Sequence, residues 1–311
     1  MCPTFEASLM SASLGSGESA ALAAAFCWAS ASLLYGRTRL TALGLNFGKN
    51  LLASLILLLQ LSVTALWSGR ALLSASADAW WWLGLSGLAG IVAGDTFYFR
   101  SLQILGARRA LILSTTAPIF AAFMGWAFLG EALSSQIAVG MTLTISGIVI
   151  VVAERSTSVE APGLFPGATA TGILAALAGA GCTALGGVFS RVGMQNVDSV
   201  EGAFIRLVVS ATAVTAIVGL RGELKSTRTQ LADRKLLKTF APAILMGTWL
   251  GIWLSQIAFK HAPVSVVTTL LSTTPIFAVP LVRLFDRHRI SRRAILGTLI
   301  AVSGVVLVVR G

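Results

Sequence analysis

Charge is scarce in this sequence. Lys, Arg, Asp and Glu make up 11% of its 311 residues, and only 12 are acidic. A soluble domain carries about 25% charged residues, so this chain is too poor in charge to form the one to three soluble domains its length would allow. Histidine and cysteine are scarcer still. His261 and His288 stand far apart, and Cys2, Cys27 and Cys182 follow neither a metal-ligand spacing nor a disulfide framework. No metal site and no cofactor are expected. No GxxxxGK[ST] loop follows a strand pattern, which removes ATP-driven pumping from the readings. The first apolar run lacks a preceding basic stretch and is flanked by Glu6 and Glu18. A cleaved signal peptide is therefore not expected.

What is present is apolar. The chain is 56% hydrophobic with a mean hydropathy of +0.85. Runs of roughly 18 or more apolar residues recur, each long enough to cross a hydrocarbon core of about 30 Å. The pattern predicts an all-α polytopic membrane protein in a lipid bilayer, with ten transmembrane helices over 19–36, 43–67, 80–101, 107–129, 134–153, 168–190, 201–220, 239–260, 263–283 and 293–310. The net charge of +11 does not imply a nucleic-acid partner, because the basic residues sit between apolar runs, where they orient helices.

The sequence also repeats itself. Ser114–Phe120 (STTAPIF) returns as Ser272–Phe277 (STTPIF), and laying Pro118 on Pro275 puts Gly90 on Gly247, Gly94 on Gly251, Gly140 on Gly297 and Gly147 on Gly304. A repeat sets the unit of architecture. Here the units are 19–153 and 168–310, joined by a linker at 154–167. Five spans per unit is an odd number, so the second unit enters the membrane from the opposite side. The expected fold is two inverted five-helix repeats, whose substrate site lies near the midplane between them. Of the 23 Lys and Arg, 17 fall in odd-numbered loops and four on the other side. By the positive-inside rule the odd loops are cytoplasmic and both termini outside, in a plasma (inner) membrane.

Several residues could carry function. Lys49 and Asp95 lie at similar depth, about 9 Å from one membrane face at 1.5 Å per residue. They read as a substrate-gated or proton-linked pair, or as a structural salt bridge; an intramembrane charge without a partner is costly. Arg206 repeats Lys49, but Ile252 stands where Asp95 would recur. It faces either an anionic substrate group or lipid phosphate. Pro118 and Pro275 break the fourth and ninth helices and free the carbonyls of Ser114 and Leu271, with Ser114, Thr115 and Thr273 among the clustered hydroxyls. Trp249, Trp253 and Gln256 share one face of the eighth helix, and Tyr98 lies three residues after Asp95; both groups suit a pocket. Glycines seven apart, Gly140/Gly147 and Gly297/Gly304, give close helix packing, within a monomer or across a homodimer.

Taken together, these features resemble the drug/metabolite transporter superfamily, and within it proteins with two EamA domains. The residues that carry the likeness are the proline of the fourth helix in each half, the Gly130-Glu131 pair, the small-residue fifth helices, and Lys49 and Arg206 early in each second helix. The resemblance implies secondary transport of small metabolites such as amino acids, often as export, by alternating access and with possible proton or ion coupling. Two departures stand out. Asp286 and His288 replace a second glutamate, and family members are usually drawn with cytoplasmic termini. The alternative is a membrane-embedded lipid-modifying enzyme or a flippase-like lipid carrier. An enzyme would need a clustered catalytic set, and none is visible.

Overall fold

The structure, a computed structural model, describes residues 15–35, 41–69, 71–105, 110, 113–153, 169–286 and 292–311. The linker expected at 154–167 lies outside these residues, as do His288 and the basic residues Arg37, Arg39, Arg108, Arg109, Arg155, Arg287 and Arg289. The described chain is helical. In order, α1 is Ser16–Tyr35, α2 Ala42–Ser68, α3 the continuous rod Ala77–Ser86, Gly87–Gly94 and Asp95–Leu105, α4 Ala117–Leu129, and α5 Ser135–Ala153. Then follow α6 Thr169–Gly193, α7 Ser199–Leu220, α8 the rod Arg234–Ala243, Ile244–Leu250 and Gly251–His261, α9 in two pieces (Val264–Leu271 and Thr274–Asp286), and α10 Arg292–Arg310. Among the described residues five helices are long and apolar enough to cross a membrane, and three shorter apolar helices accompany them. Their outward faces are apolar: Leu51, Leu55, Leu59 and Val63 recur every fourth residue along exposed α2, as a lipid-facing stripe would.

The two halves share one packing plan. α3 packs along α6, and its counterpart α8 along α1; α2 packs on α7, and α5 on α10. The last pair is the tightest. A Cβ at Gly140 would fall 2.8 Å from the Gly304 carbonyl oxygen, and one at Gly297 would fall 2.8 Å from that of Gly147. Only a missing side chain lets two backbones meet this closely. Gly140 thus meets the counterpart of Gly147, and Gly147 the counterpart of Gly140, so α5 and α10 run antiparallel. This seam lies within one chain and uses the glycines that could have served a dimer.

Two irregularities recur at the same offset. The middle of α3, Gly87–Gly94, is π-helical, and so is its counterpart Ile244–Leu250 in α8. Hydropathy gives no sign of these segments. π turns are rare and gather at functional sites. The second irregularity is the break before each repeated proline. Pro118 and Pro275 occupy the second position of the segments Ala117–Leu129 and Thr274–Asp286, where a missing N–H costs nothing. The chain turns just before, at 115–116 and 272–273. Hydroxyls of equivalent threonines back-bond to equivalent carbonyls there, Thr116 to Leu113 at 2.7 Å and Thr273 to Leu270 at 2.6 Å. The expected break is therefore an ordered turn; at Leu271 the freed carbonyl accepts from Thr274 at 2.7 Å.

The polar stretch 221–238, expected as a loop, contains a short helix, Leu224–Leu231. Leu224, Thr227 and Leu231 share one face, and the two leucines pack against Phe47 and Val218, which explains its order.

Candidate functional site

A cavity of about 430 Å³ lies between the halves. Its walls come from α1–α3, the turn before α4 with its first residue, and α6–α9; no described residue of α5 or α10 lines it. On its α2–α3 side Lys49 Nζ donates to Asp95 Oδ2 at 2.9 Å. The pair is half-sheltered, with side-chain exposures of 15% and 31%. Arg206 reaches in from α7. It is buried, at 6% exposure, and runs along the α3 π segment: a Cβ at Gly90 would come 3.1 Å from its Nη2. Gly90 leaves the space beside the guanidinium, and Gly87 lets the Arg206 backbone pack against the same segment. Asp95 acts on Arg206 electrostatically, but no hydrogen bond or ion pair joins them among the described residues.

The α8 π segment is held by α1. Trp28 Nε1 donates to the Gly247 carbonyl at 2.9 Å. The Tyr35 hydroxyl donates to the Ala243 carbonyl at 3.1 Å and shares a hydrogen bond with Thr248 Oγ1 at 2.8 Å. Widened turns leave carbonyls poorly satisfied within their own helix, and buried acceptors need partners. The aromatic side chains of α1 supply them.

Of the expected site residues, the cavity gathers Lys49, Asp95, Tyr98, Ser114, Thr115, Arg206 and Pro275. It does not gather Trp249, Trp253, Gln256, Thr273 or Pro118. Trp249 and Trp253 stack on each other with ring centroids 6.1 Å apart, and Trp249 donates to Gln60 Oε1 at 2.8 Å while Trp253 donates to Ser199 Oγ at 3.4 Å. Gln256 and Thr273 are buried in helix contacts, at 0% and 2% exposure. The wall of α8 is instead Thr248, Ile252, Ser255 and Phe259. Trp28, Tyr35 and Thr183 are lining residues that sequence reasoning missed, whereas Thr268 belongs to the hydroxyls clustered at the Pro275 break. One signal was available: the chain has only two tyrosines, and both line the cavity.

Beyond the cavity, Glu131 ties three segments together. Gly130, at φ +65°, ends α4 and turns the chain; both Glu131 oxygens then accept from the Val264 N–H at 3.0 Å, at the start of α9. Arg191, at the end of α6, lies 3.9 Å from Glu131 and donates to the carbonyls of Phe259 and Lys260. Burial raises the Glu131 carboxyl above its ordinary range, and the Val264 N–H and Arg191 work against that shift. A second tie joins Glu201 to the N–H groups of Ser74 and Ala75 at 2.6 and 2.8 Å. Both ties join loops expected on one membrane face. Among the described residues no group of three His, Cys, Asp or Glu could hold a metal ion.

Two stretches of the chain, residues 15–153 and 170–310, match the model of the EamA-like transporter family. A solved structure described only as a crystal structure of a protein aligns over 95% of this chain and 98% of its own, with a TM-score of 0.73 at 17% identity. At that identity the likeness shows the fold alone. No curated protein matches the chain.

Proposed function

The chain belongs to the EamA-like transporter family, a family of multi-pass membrane proteins that move small molecules, and we propose that it is a secondary active transporter of small metabolites working by alternating access. Export is the direction the sequence resemblance implies. In this reading ten helices cross a plasma (inner) membrane as two inverted five-helix repeats, 19–153 and 168–310, with the odd-numbered loops cytoplasmic. The antiparallel crossing of α5 and α10 through exchanged glycines supports the inversion.

The observation that carries the proposal is the cavity itself. It lies between the halves, is walled by elements of both, and among the described residues holds Lys49, Asp95 and Arg206 as its only charged lining residues. Substrate binds there, against the charged residues and against Tyr98, Ser114 and Thr115. One half then rocks against the other over the breaks before Pro118 and Pro275, while α5 and α10 hold the halves together. Asp95 is the group we assign to ion coupling, since a carboxylate paired to one lysine can exchange that partner for a proton.

The test is flux in proteoliposomes loaded with a pH-sensitive dye. A panel of amino acids, nucleosides and aromatic acids is added outside under an imposed proton gradient. At least one should drive dye-reported proton movement, and Asp95→Asn should abolish or uncouple it. No response across the panel would sink the transport reading; coupled flux unchanged by Asp95→Asn would remove Asp95 from the mechanism.

A further inference from the structure

The cavity's charges do not balance. Lys49, Asp95 and Arg206 sum to one positive charge, and no other charged residue among those described lines the space. Lys49 is answered by Asp95 at 2.9 Å. Arg206 has no hydrogen bond or ion pair among the described residues: its Nε is buried without a hydrogen-bond partner, neither ion pair there includes it, and Asp95, already held by Lys49, acts on it only at longer range. Arginine does not escape by losing its proton, so the guanidinium holds a charge with no direct partner in a largely apolar setting.

The duplication shows where the counter-charge is missing. Arg206 occupies the place of Lys49 in the second copy, and Ile252 the place of Asp95. Ile252 also lines the cavity. The second helix of each half thus presents a cation to the same cavity, but only the first half has an acid at the matching place to receive it.

We propose that the substrate supplies this missing negative charge, so that Arg206 is the anion-recognition residue and the substrate class is an organic monoanion: a carboxylate on a largely apolar, ring-bearing body. This rests on the reading of the cavity as the transport site. A single surplus positive charge matches a carboxylate rather than a phosphate dianion. The planar guanidinium fork matches its two oxygens. Trp28, Tyr35, Tyr98, Phe99 and Phe259 supply the aromatic surface around it. A substrate ammonium finds no free acid, because Asp95 is engaged by Lys49.

Four probes of one shape test this on the purified full chain in detergent, by calorimetry: 3-phenylpropionate, its neutral amide, phenylalanine, and 3-phenylpropylamine. The acid should bind about 10-fold or more tightly than each of the others, the range a charge-assisted contact gives over a neutral one. Ile252→Asp gives Arg206 an internal carboxylate and should erase the acid-over-amide ratio. Arg206→Met should erase it too. Ile252→Asn adds polarity without charge; it should weaken all four probes alike and keep the ratio, which separates charge from misfolding. Equal binding of the four probes, binding of none, or an acid preference that survives Ile252→Asp overturns the proposal. Transport of neutral or cationic panel members with no anion preference would sink this inference alone. The expected binding pattern without any flux in liposomes would sink the transporter reading and leave the anion site standing.

Discussion

Neutralising Lys49 and Asp95 singly and together separates what the pair does for stability from what it does for transport. At 2.9 Å two unit charges attract by about 5.7 kcal/mol at an effective dielectric of about 20, and by about 1.4 kcal/mol in bulk water. Side-chain exposures of 15% and 31% place the pair between those limits. A coupling of about 2–3 kcal/mol is expected, below the upper range for fully buried pairs because the cavity admits water. Lys49→Met strands a carboxylate and Asp95→Asn strands an ammonium, so each alone destabilises. Lys49→Met/Asp95→Asn strands neither and should cost less than the sum of the two by that coupling. Unfolding in mixed micelles gives the cycle, and proteoliposome flux is read on the same four proteins. If the charges are part of transport, the double variant recovers stability without recovering flux. Additive single effects, with coupling under about 0.5 kcal/mol, would refute the pair as a stabilising contact. Flux restored with stability would make it a strut and nothing more.

Three further outcomes follow from the packing. Gly140→Leu forces a side chain into a gap where even a Cβ sits 2.8 Å from the Gly304 oxygen, and should cost about 1–3 kcal/mol in a thermal melt; an unchanged melt would remove the α5–α10 seam from the intrachain core. Burial raises the Glu131 carboxyl, so the folded chain holds a proton there at pH values where the unfolded chain has lost it. Stability relative to Glu131→Gln is then greatest below the ordinary glutamate value of 4.5 and falls as pH rises through the raised one; a wild-type advantage that grows with pH refutes the assignment. Reporter fusions at residue 225 and at the C-terminus should read cytoplasmic and external respectively, and the reverse result would overturn the charge-based orientation.

The helices were legible because hydropathy and length decide them: α2, α5, α6 and α7 begin and end within a few residues of the expected spans. The repeat made the paired breaks legible too, since Pro118 and Pro275 stand at equivalent places. The face of α8 was not. Trp249, Trp253 and Gln256 do share a stripe, but the cavity takes the stripe one residue earlier, Thr248, Ile252 and Ser255. Periodicity says which residues lie together and leaves open which stripe turns inward, and one residue is a rotation of about 100°. The π segment Ile244–Leu250, which contains Thr248, adds its own rotation, and no composition signal marks it beyond Gly247. Arg206 was ambiguous for a related reason. Depth along a helix is readable from a span, whereas the space beside its guanidinium is left by Gly90 of another helix, and Gly87 of that helix lets the Arg206 backbone come close.

The duplication divides the molecule's properties into two kinds. Whatever depends on backbone form recurs: the π segments, the threonine-capped turns, the glycine crossings and the swapped packing of α3 on α6 and α8 on α1 all appear twice. The cation of the second helix recurs as well, but the acids do not. Asp95 answers Lys49, while Ile252 leaves Arg206 open; Glu131 clasps the start of α9, while the corresponding position is His288. Two matching scaffolds give a hinge with two similar ends, which alternation requires. Two fully matching charge sets would give a cavity that satisfies itself and has no need of a ligand. In the proposed reading, the difference between the copies is what leaves room for substrate, and substituting at Ile252 tests that difference without disturbing the shared frame.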